Sequence, residues 1–226
     1  MARRSPRYRF GAVLVLLAIT FVVMVAGPPD AWARVVTVAL QGLTLLAALV
    51  ASRVDIRLVR MAVVVVVLAL IGAFASVIVS PSNEPTGIFF GLNVLFLAAA
   101  PVVIGRSLVR RSVVDVQTVL GAICIYVLIG MMFAFVYATI DQLGTHPFFA
   151  QTDHATLQDT LYFSFVTLTT VGYGDFSPAG GLGRSLAVLE ALAGQLYLVT
   201  IIAVLVSRIA ERPSRLDRDP GIEDSA

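Results

Sequence analysis

Thr170-Val-Gly-Tyr-Gly-Asp175 is the segment whose residue types and position point to a chemistry. It follows Thr156 to Leu168, where Thr156-Leu-Gln-Asp159 has the form of a helix-start capping box and the apolar run Leu161 to Val166 comes next. The helix predicted there has about 13 residues and a length of about 20 Å, too short to cross a hydrocarbon core of about 30 Å. It must enter the membrane and return. Backbone that turns back at membrane depth is tolerated only where protein buries it or water reaches it. The arrangement therefore implies an aqueous cavity. The short helix enters from outside and points its partially negative C-terminus inward, which favours a cation there.

Other candidates for chemistry carry less. His146 and His154 lie upstream near Asp141, Asp153 and Asp159, without metal-ligand spacing or a nucleophile arrangement, so the chain reads as a non-enzyme. Those histidines are solvated loop residues or, alternatively, proton-sensitive groups at a nearby mouth, given an ordinary pKa of about 6.5. Cys124 is the one cysteine, which excludes an intramolecular disulfide and a thiolate metal cluster and suits a small buried apolar residue.

The elements that must position the hexapeptide follow from composition. Of 226 residues 58% are hydrophobic and 13% are charged, against roughly a quarter charged in soluble domains. Lipid is the expected solvent for most of the chain. Six stretches have the length and apolarity of spanning helices: Phe10 to Gly27, Val35 to Ser52, Met61 to Val79, Ile88 to Gly105, Val116 to Ile140 and Leu186 to Val206.

Every basic residue is an arginine, and the arginines alternate with the spans. Arg3, Arg4, Arg7 and Arg9 precede the first span, Arg53, Arg57 and Arg60 follow the second, and Arg106, Arg110 and Arg111 follow the fourth. Arg208, Arg212, Arg215 and Arg218 follow the last, and the opposite side receives only Arg34 and Arg184. By the positive-inside rule both termini are cytoplasmic. A nucleic-acid partner is excluded by the same alternation, because the arginines do not gather on one surface. Ala31-Trp-Ala33 after a basic start and an apolar run also resembles a signal cleavage site, but the run is as long as a true span.

Two parts and a tail are legible. Residues 1–111 form a four-helix transmembrane region joined by turn-forming segments such as Gly27-Pro-Pro-Asp30 and Ser80-Pro-Ser-Asn83, with Pro101 expected to bend the fourth span. Asp55 and Arg57 are read as residues of a solvated loop. Residues 112–211 form a second region, with a short cytoplasmic tail at 212–226.

Thr167-Leu-Thr-Thr-Val-Gly-Tyr-Gly-Asp175, with its helix-loop context, resembles the pore module of the potassium channel superfamily. The resemblance covers about 116 to 210; the first four spans resemble the family only in number and spacing. It implies an all-α membrane protein with six transmembrane helices, a re-entrant pore helix and a selectivity-filter loop, assembled as a homotetramer in the cell membrane. In the family, carbonyls from four identical loops replace the hydration shell of the ion. Carried over by position, the carbonyls of Thr170, Val171, Gly172 and Tyr173 line the K+ sites, with the Thr170 hydroxyl as the innermost ring. Gly172 and Gly174 supply backbone freedom, Tyr173 braces the loop from behind, and Asp175 sits at the outer mouth. No cofactor is implied, only K+ ions in the filter.

Gly183-Arg184 and Gly194 fall nine, ten and twenty residues after Gly174, matching the inner helix of the family without a gap. This alignment makes Gln195, Leu198, Ile202 and Val206 a cavity-facing stripe at helical spacing. Gly194 is read as a hinge or, equally, as a close-packing site. Glu190, ionisable within an apolar span, is a functional candidate by default. Its register places it behind the filter, with hydrogen bonds to Thr167 or Thr169 expected, and an ion-attracting or lipid-shielded role as alternatives. The family often carries Trp on the pore helix where this chain has Tyr162-Phe163; Tyr162 is the expected donor to Asp175.

The segment from Ile88 to Gly105 contains no charged residue, whereas voltage-gated relatives carry arginines through the fourth span. Strong voltage gating is therefore not expected. The motif Glu190-Ala-Leu-Ala-Gly-Gln-Leu-Tyr197 resembles a bacterial branch of the superfamily. A non-conducting membrane sensor or assembly subunit, or a potassium transporter subunit, are the competing readings; the transporter is disfavoured because such proteins fuse four unequal repeats.

Overall fold

The computed structural model describes residues 9–27, 31–52, 56–79, 87–109 and 116–210. Arg3, Arg4, Arg7, Arg53, Asp55, Arg110, Arg111, Arg212, Arg215 and Arg218, the turns at 28–30 and 80–83, and the tail at 212–226 lie outside the described residues.

The described part is all-helical: α1 Arg9–Ala26, α2 Ala31–Ala51, α3 Ile56–Val79, α4 Gly87–Val109, α5 Val116–Leu143, α6 Leu157–Leu168 and α7 Gly181–Ala210. Six of these correspond to the expected spans. Apart from α1, which is offset by one residue, they run past the apolar stretches at one end or both, α3 by taking in Arg57 and Arg60, α5 by ending at Leu143 and α7 by starting at Gly181. The reason is that backbone hydrogen bonding continues into interfacial polar residues after apolarity ends. Ala31, Trp32 and Ala33 form the first turn of α2, and α4 continues through Pro101.

α5 and α7 are long and apolar enough to cross a membrane. The apolar stretches of the other four are shorter, at Phe10–Ala26, Val35–Ala51, Val59–Phe74 and Asn93–Arg106.

α4 and α1 pack on α5, α2 bridges α1, α3 and α4, and α6 lies between α5 and α7. The main core joins Phe10, Val13 and Leu17 of α1 to Leu128, Met131 and Phe135 of α5, with Leu97 and Ile104 of α4. Gln117 Oε1 accepts a bond of 2.9 Å from the Phe10 amide, and Cys124 is fully buried with its thiol toward the Phe10 carbonyl. α1 is thereby registered against the start of α5. A second cluster, Tyr137, Phe148, Phe149 and Phe163, fills the space between α5, α6 and the loop that joins them.

The two long apolar helices differ in cover. The apolar window of α5 is 50% buried within the chain, whereas that of α7 is 11% buried. A wide apolar face of α7 is thus left for other contacts.

Candidate functional site

The short helix is fixed at its start by a reciprocal cap. Thr156 Oγ1 accepts from the Asp159 amide at 3.2 Å, and Asp159 Oδ2 accepts from the Thr156 amide at 2.9 Å, satisfying donors that a helix start leaves free. The 12 residues of α6 give a length of about 18 Å, well under the membrane core.

The loop then folds onto the last turn of α6. Thr170 N donates to Thr167 O at 2.9 Å, Val171 N to Val166 O at 2.9 Å, and Gly172 N to Val166 O at 3.3 Å. Thr170, Gly172 and Gly174 have φ of 58°, 58° and 81°, and Val171 and Tyr173 between them do not share the left-handed region. The glycines were legible as positions of backbone freedom; Thr170 was not. A β-branched residue at positive φ costs about 1–3 kcal/mol and persists only where its surroundings hold it, here through the bonds to α6.

Tyr162 OH donates to Asp175 Oδ2 at 2.8 Å, and the rings of Tyr162 and Tyr173 stack at 6.4 Å with 4° between their planes. The hydrogen bond to Asp175 pushes the Tyr162 phenol above its ordinary pKa, so it remains a donor. One tyrosine on α6 thus holds both the outer carboxylate and the side chain of the loop.

Glu190 is fully buried. Tyr137 OH of α5 donates to its Oε2 at 2.6 Å, and Ser164 Oγ of α6 pairs with its Oε1. Ser164 Oγ also lies 2.6 Å from Gly130 O. The partners are therefore Tyr137 and Ser164, and the expected bonds to Thr167 or Thr169 are not formed; Thr169 Oγ1 instead donates to Phe165 O at 2.6 Å. The register explains the correction. Gly194 abuts Leu168, and one turn back on each helix Glu190 meets Ser164.

A Cβ at Gly194 would lie 2.4 Å from Leu168 O and 2.8 Å from Leu168 Cδ1. Backbone cannot yield as a flexible side chain can, so the close-packing role has a direct geometric cause, and α7 runs unbroken through this position. Tyr126 OH of α5 donates to the same Leu168 carbonyl at 3.2 Å, and Tyr197 stacks on Tyr126 and donates to Ala122 O at 2.7 Å. Gln195, Leu198 and Ile202 are exposed on the single chain, while the side chain of Val206 lies outside the described residues.

The loop between α5 and α6 is held by Asp141, whose two oxygens accept from the amides of Phe148 and Ala155 at 2.9 and 3.3 Å. Arg184 Nε donates to Pro178 O at 3.0 Å. His146 and His154 are exposed, and among the described residues no three metal-ligating side chains gather. Tyr126, Tyr137, Ser164 and Tyr197 were not singled out from the sequence. Three of them bond to backbone carbonyls on other helices, and such contacts leave no spacing signal.

A short capped helix thus lies between two long apolar helices and ends in a loop of alternating backbone handedness, the arrangement expected of a pore module. A family described as "Ion channel" matches residues 122–211. Similar proteins include Protein LctB of Geobacillus stearothermophilus, 38% identical over 76 residues, covering 31% of this chain and 56% of that protein. Probable potassium channel protein 2 of Methanocaldococcus jannaschii is 51% identical over 51 residues, 23% of this chain and 14% of its own. Human potassium voltage-gated channel subfamily A member 5 is 33% identical over 106 residues, 46% of this chain and 16% of its own. The chain thus spans 56% or less of the length of these relatives. Through residues 122–211 the chain is similar to ion channels, potassium channels among them.

Proposed function

We propose that this chain is one of four identical subunits of a potassium-selective channel that conducts K+ passively across the cell membrane. The observation that carries the reading is the positive φ at Thr170, Gly172 and Gly174. With alternate residues left-handed, the carbonyls of Thr170, Val171, Gly172 and Tyr173 face one axis and replace the hydration shell of K+. The Thr170 hydroxyl adds the innermost ring, Asp175 stands at the outer mouth, and K+ is the permeant ion, with no cofactor required.

Tetrameric assembly is supported by exposure. Residues 169–175 are all exposed on the single chain, and irregular backbone at membrane depth cannot face lipid. Four copies around one axis bury it against each other and against water, as closed cyclic symmetry allows. The apolar face of α7 left uncovered within the chain serves the same assembly. Gln195, Leu198, Ile202 and Val206 then line the cavity, and Glu190 supports the filter from behind, through Ser164 and Tyr137.

α1 to α4 cross the membrane as four further spans, making six, with both termini cytoplasmic. Their helices are 18, 21, 24 and 23 residues long, within the range of about 17–25 residues that spans a hydrocarbon core, with α1 at its short end.

Purified full-length chain reconstituted in liposomes is expected to pass K+ and Rb+ while largely excluding Na+. Equal Na+ and K+ flux through the unmodified protein refutes the reading. Absence of any flux from a well-folded tetramer favours a non-conducting role.

Open probability is expected to vary little with voltage. Moving one charge through the field is worth about 2.3 kcal/mol per 100 mV, and Ile88 to Gly105 offers none. Arg106 is exposed in the last turn of α4, where it can reach headgroups. Single-channel recording over a range of about 200 mV, set against that per-charge energy, tests this. A slope equivalent to several charges per tetramer would place the sensing charge elsewhere.

A further inference from the structure

The bundle of the first half holds a polar side chain that the pore does not use. Gln41 of α2 is 5% exposed, and neither its Nε2 nor its Oε1 has a hydrogen-bond partner among the described residues. A buried amide in that condition is unfavourable, because its hydration is lost on folding without replacement. Gln41 borders a cavity of about 10 Å³, whose other polar walls are Thr20 of α1 and Thr44 of α2. Apolar side chains of α1, α4 and α5, among them Leu17, Leu97 and Met131, close it.

That volume is about one water-sized sphere, the minimum for a water molecule, and a water needs two to four polar partners. Three side chains supply them. Thr20 and Thr44 direct their hydroxyl hydrogens to Leu16 O and Leu40 O, each at 2.8 Å, so each hydroxyl oxygen remains an acceptor. The amide brings both a donor and an acceptor.

We propose that this cavity is a binding site for a single water molecule, held by the Gln41 amide and by the hydroxyl oxygens of Thr20 and Thr44. The ligand is water because the cavity is too small for anything larger, and its polar groups are neutral. The site has a structural consequence. Leu128 and Met131 of α5 wall it on the side of the pore module and flank Gly130, whose carbonyl takes the bond from Ser164. A bridging water there joins α1 to α2 through Thr20 and the Gln41 amide, and meets α5 only across apolar walls. Polar bridges of this kind join helices where lipid gives no hydrophobic drive to association. The inference concerns the first half and does not depend on ion selectivity.

The test is a structure of the full chain in lipid nanodiscs, at a resolution that shows ordered waters. The expected result is a separate peak within hydrogen-bond distance of the Gln41 amide and of Thr20 or Thr44. In Gln41→Leu the peak is lost, while each threonine keeps its own carbonyl bond. The proposal is overturned if the wild-type cavity has no peak, if the amide bonds directly to a neighbouring helix, or if the peak persists in Gln41→Leu. Should Gln41→Leu fail to fold, the wild-type density decides.

Discussion

Replacing Gly172 with Ala is expected to abolish selective K+ flux while leaving the helices of each subunit in place. Gly172 has φ of 58°, and an added Cβ meets nothing within 4 Å inside the subunit. The penalty is therefore conformational and not a clash within the chain. An L-residue in the left-handed region costs roughly 1–2 kcal/mol, and a fourfold ring incurs it four times. Thr170 shows that the strain can be held, but Thr170 donates to α6 at 2.9 Å while Gly172 reaches it at only 3.3 Å. The alanine variant is expected to flip its peptide planes, turning carbonyls away from the axis. Liposome flux with K+ and Na+ on the variant gives the answer. Retained K+ selectivity would mean that this backbone conformation is not what selects the ion.

Replacing Glu190 with Leu is the second large effect expected, on stability and on open time together. Glu190 joins three helices: α7 through itself, α5 through Tyr137, and α6 through Ser164. Leucine leaves the fully buried Tyr137 hydroxyl without its partner, at a cost of about 1–3 kcal/mol per subunit. Ser164 retains Gly130 O, so the damage falls mainly on the tie between α5 and α7. Glu190→Gln keeps one acceptor and one donor and is expected to be milder. Thermal melting of the tetramer and single-channel open times read the two variants. If conductance, open time and melting are all unchanged in Glu190→Leu, the carboxyl does not support the filter.

Much of the pore half was legible because its signals are local. The capping box at Thr156 and Asp159, the shortness of α6, and the two glycines at Gly172 and Gly174 each follow from neighbouring residues, and the structure contains all three features. The helices are also close to the apolar stretches, because twenty apolar residues in succession have few alternatives to a helix in lipid. Their ends were less legible, since helices continue into residues whose polarity no longer reports the membrane.

The sequence by itself determined the order of the elements, the short helix with the loop that follows it, and the burial of an ionisable residue at Glu190. Only the tertiary structure decided what that residue touches. A side chain on α7 has Ser164 or Thr167 equally near in a helical register, and the choice is made by the contact of Gly194 with the Leu168 carbonyl, which sets how far α7 slides along α6. The same holds for Thr170 and Gln41. Nothing local in a threonine announces a φ of 58°, and nothing local in a glutamine in an apolar helix announces that its amide will meet two threonines around a cavity. The strain at Thr170 arises where the loop folds back on the last turn of α6, and the setting of Gln41 where helices remote in sequence pack around it; such packing, unlike capping or hydrophobic length, has no signature along a single chain.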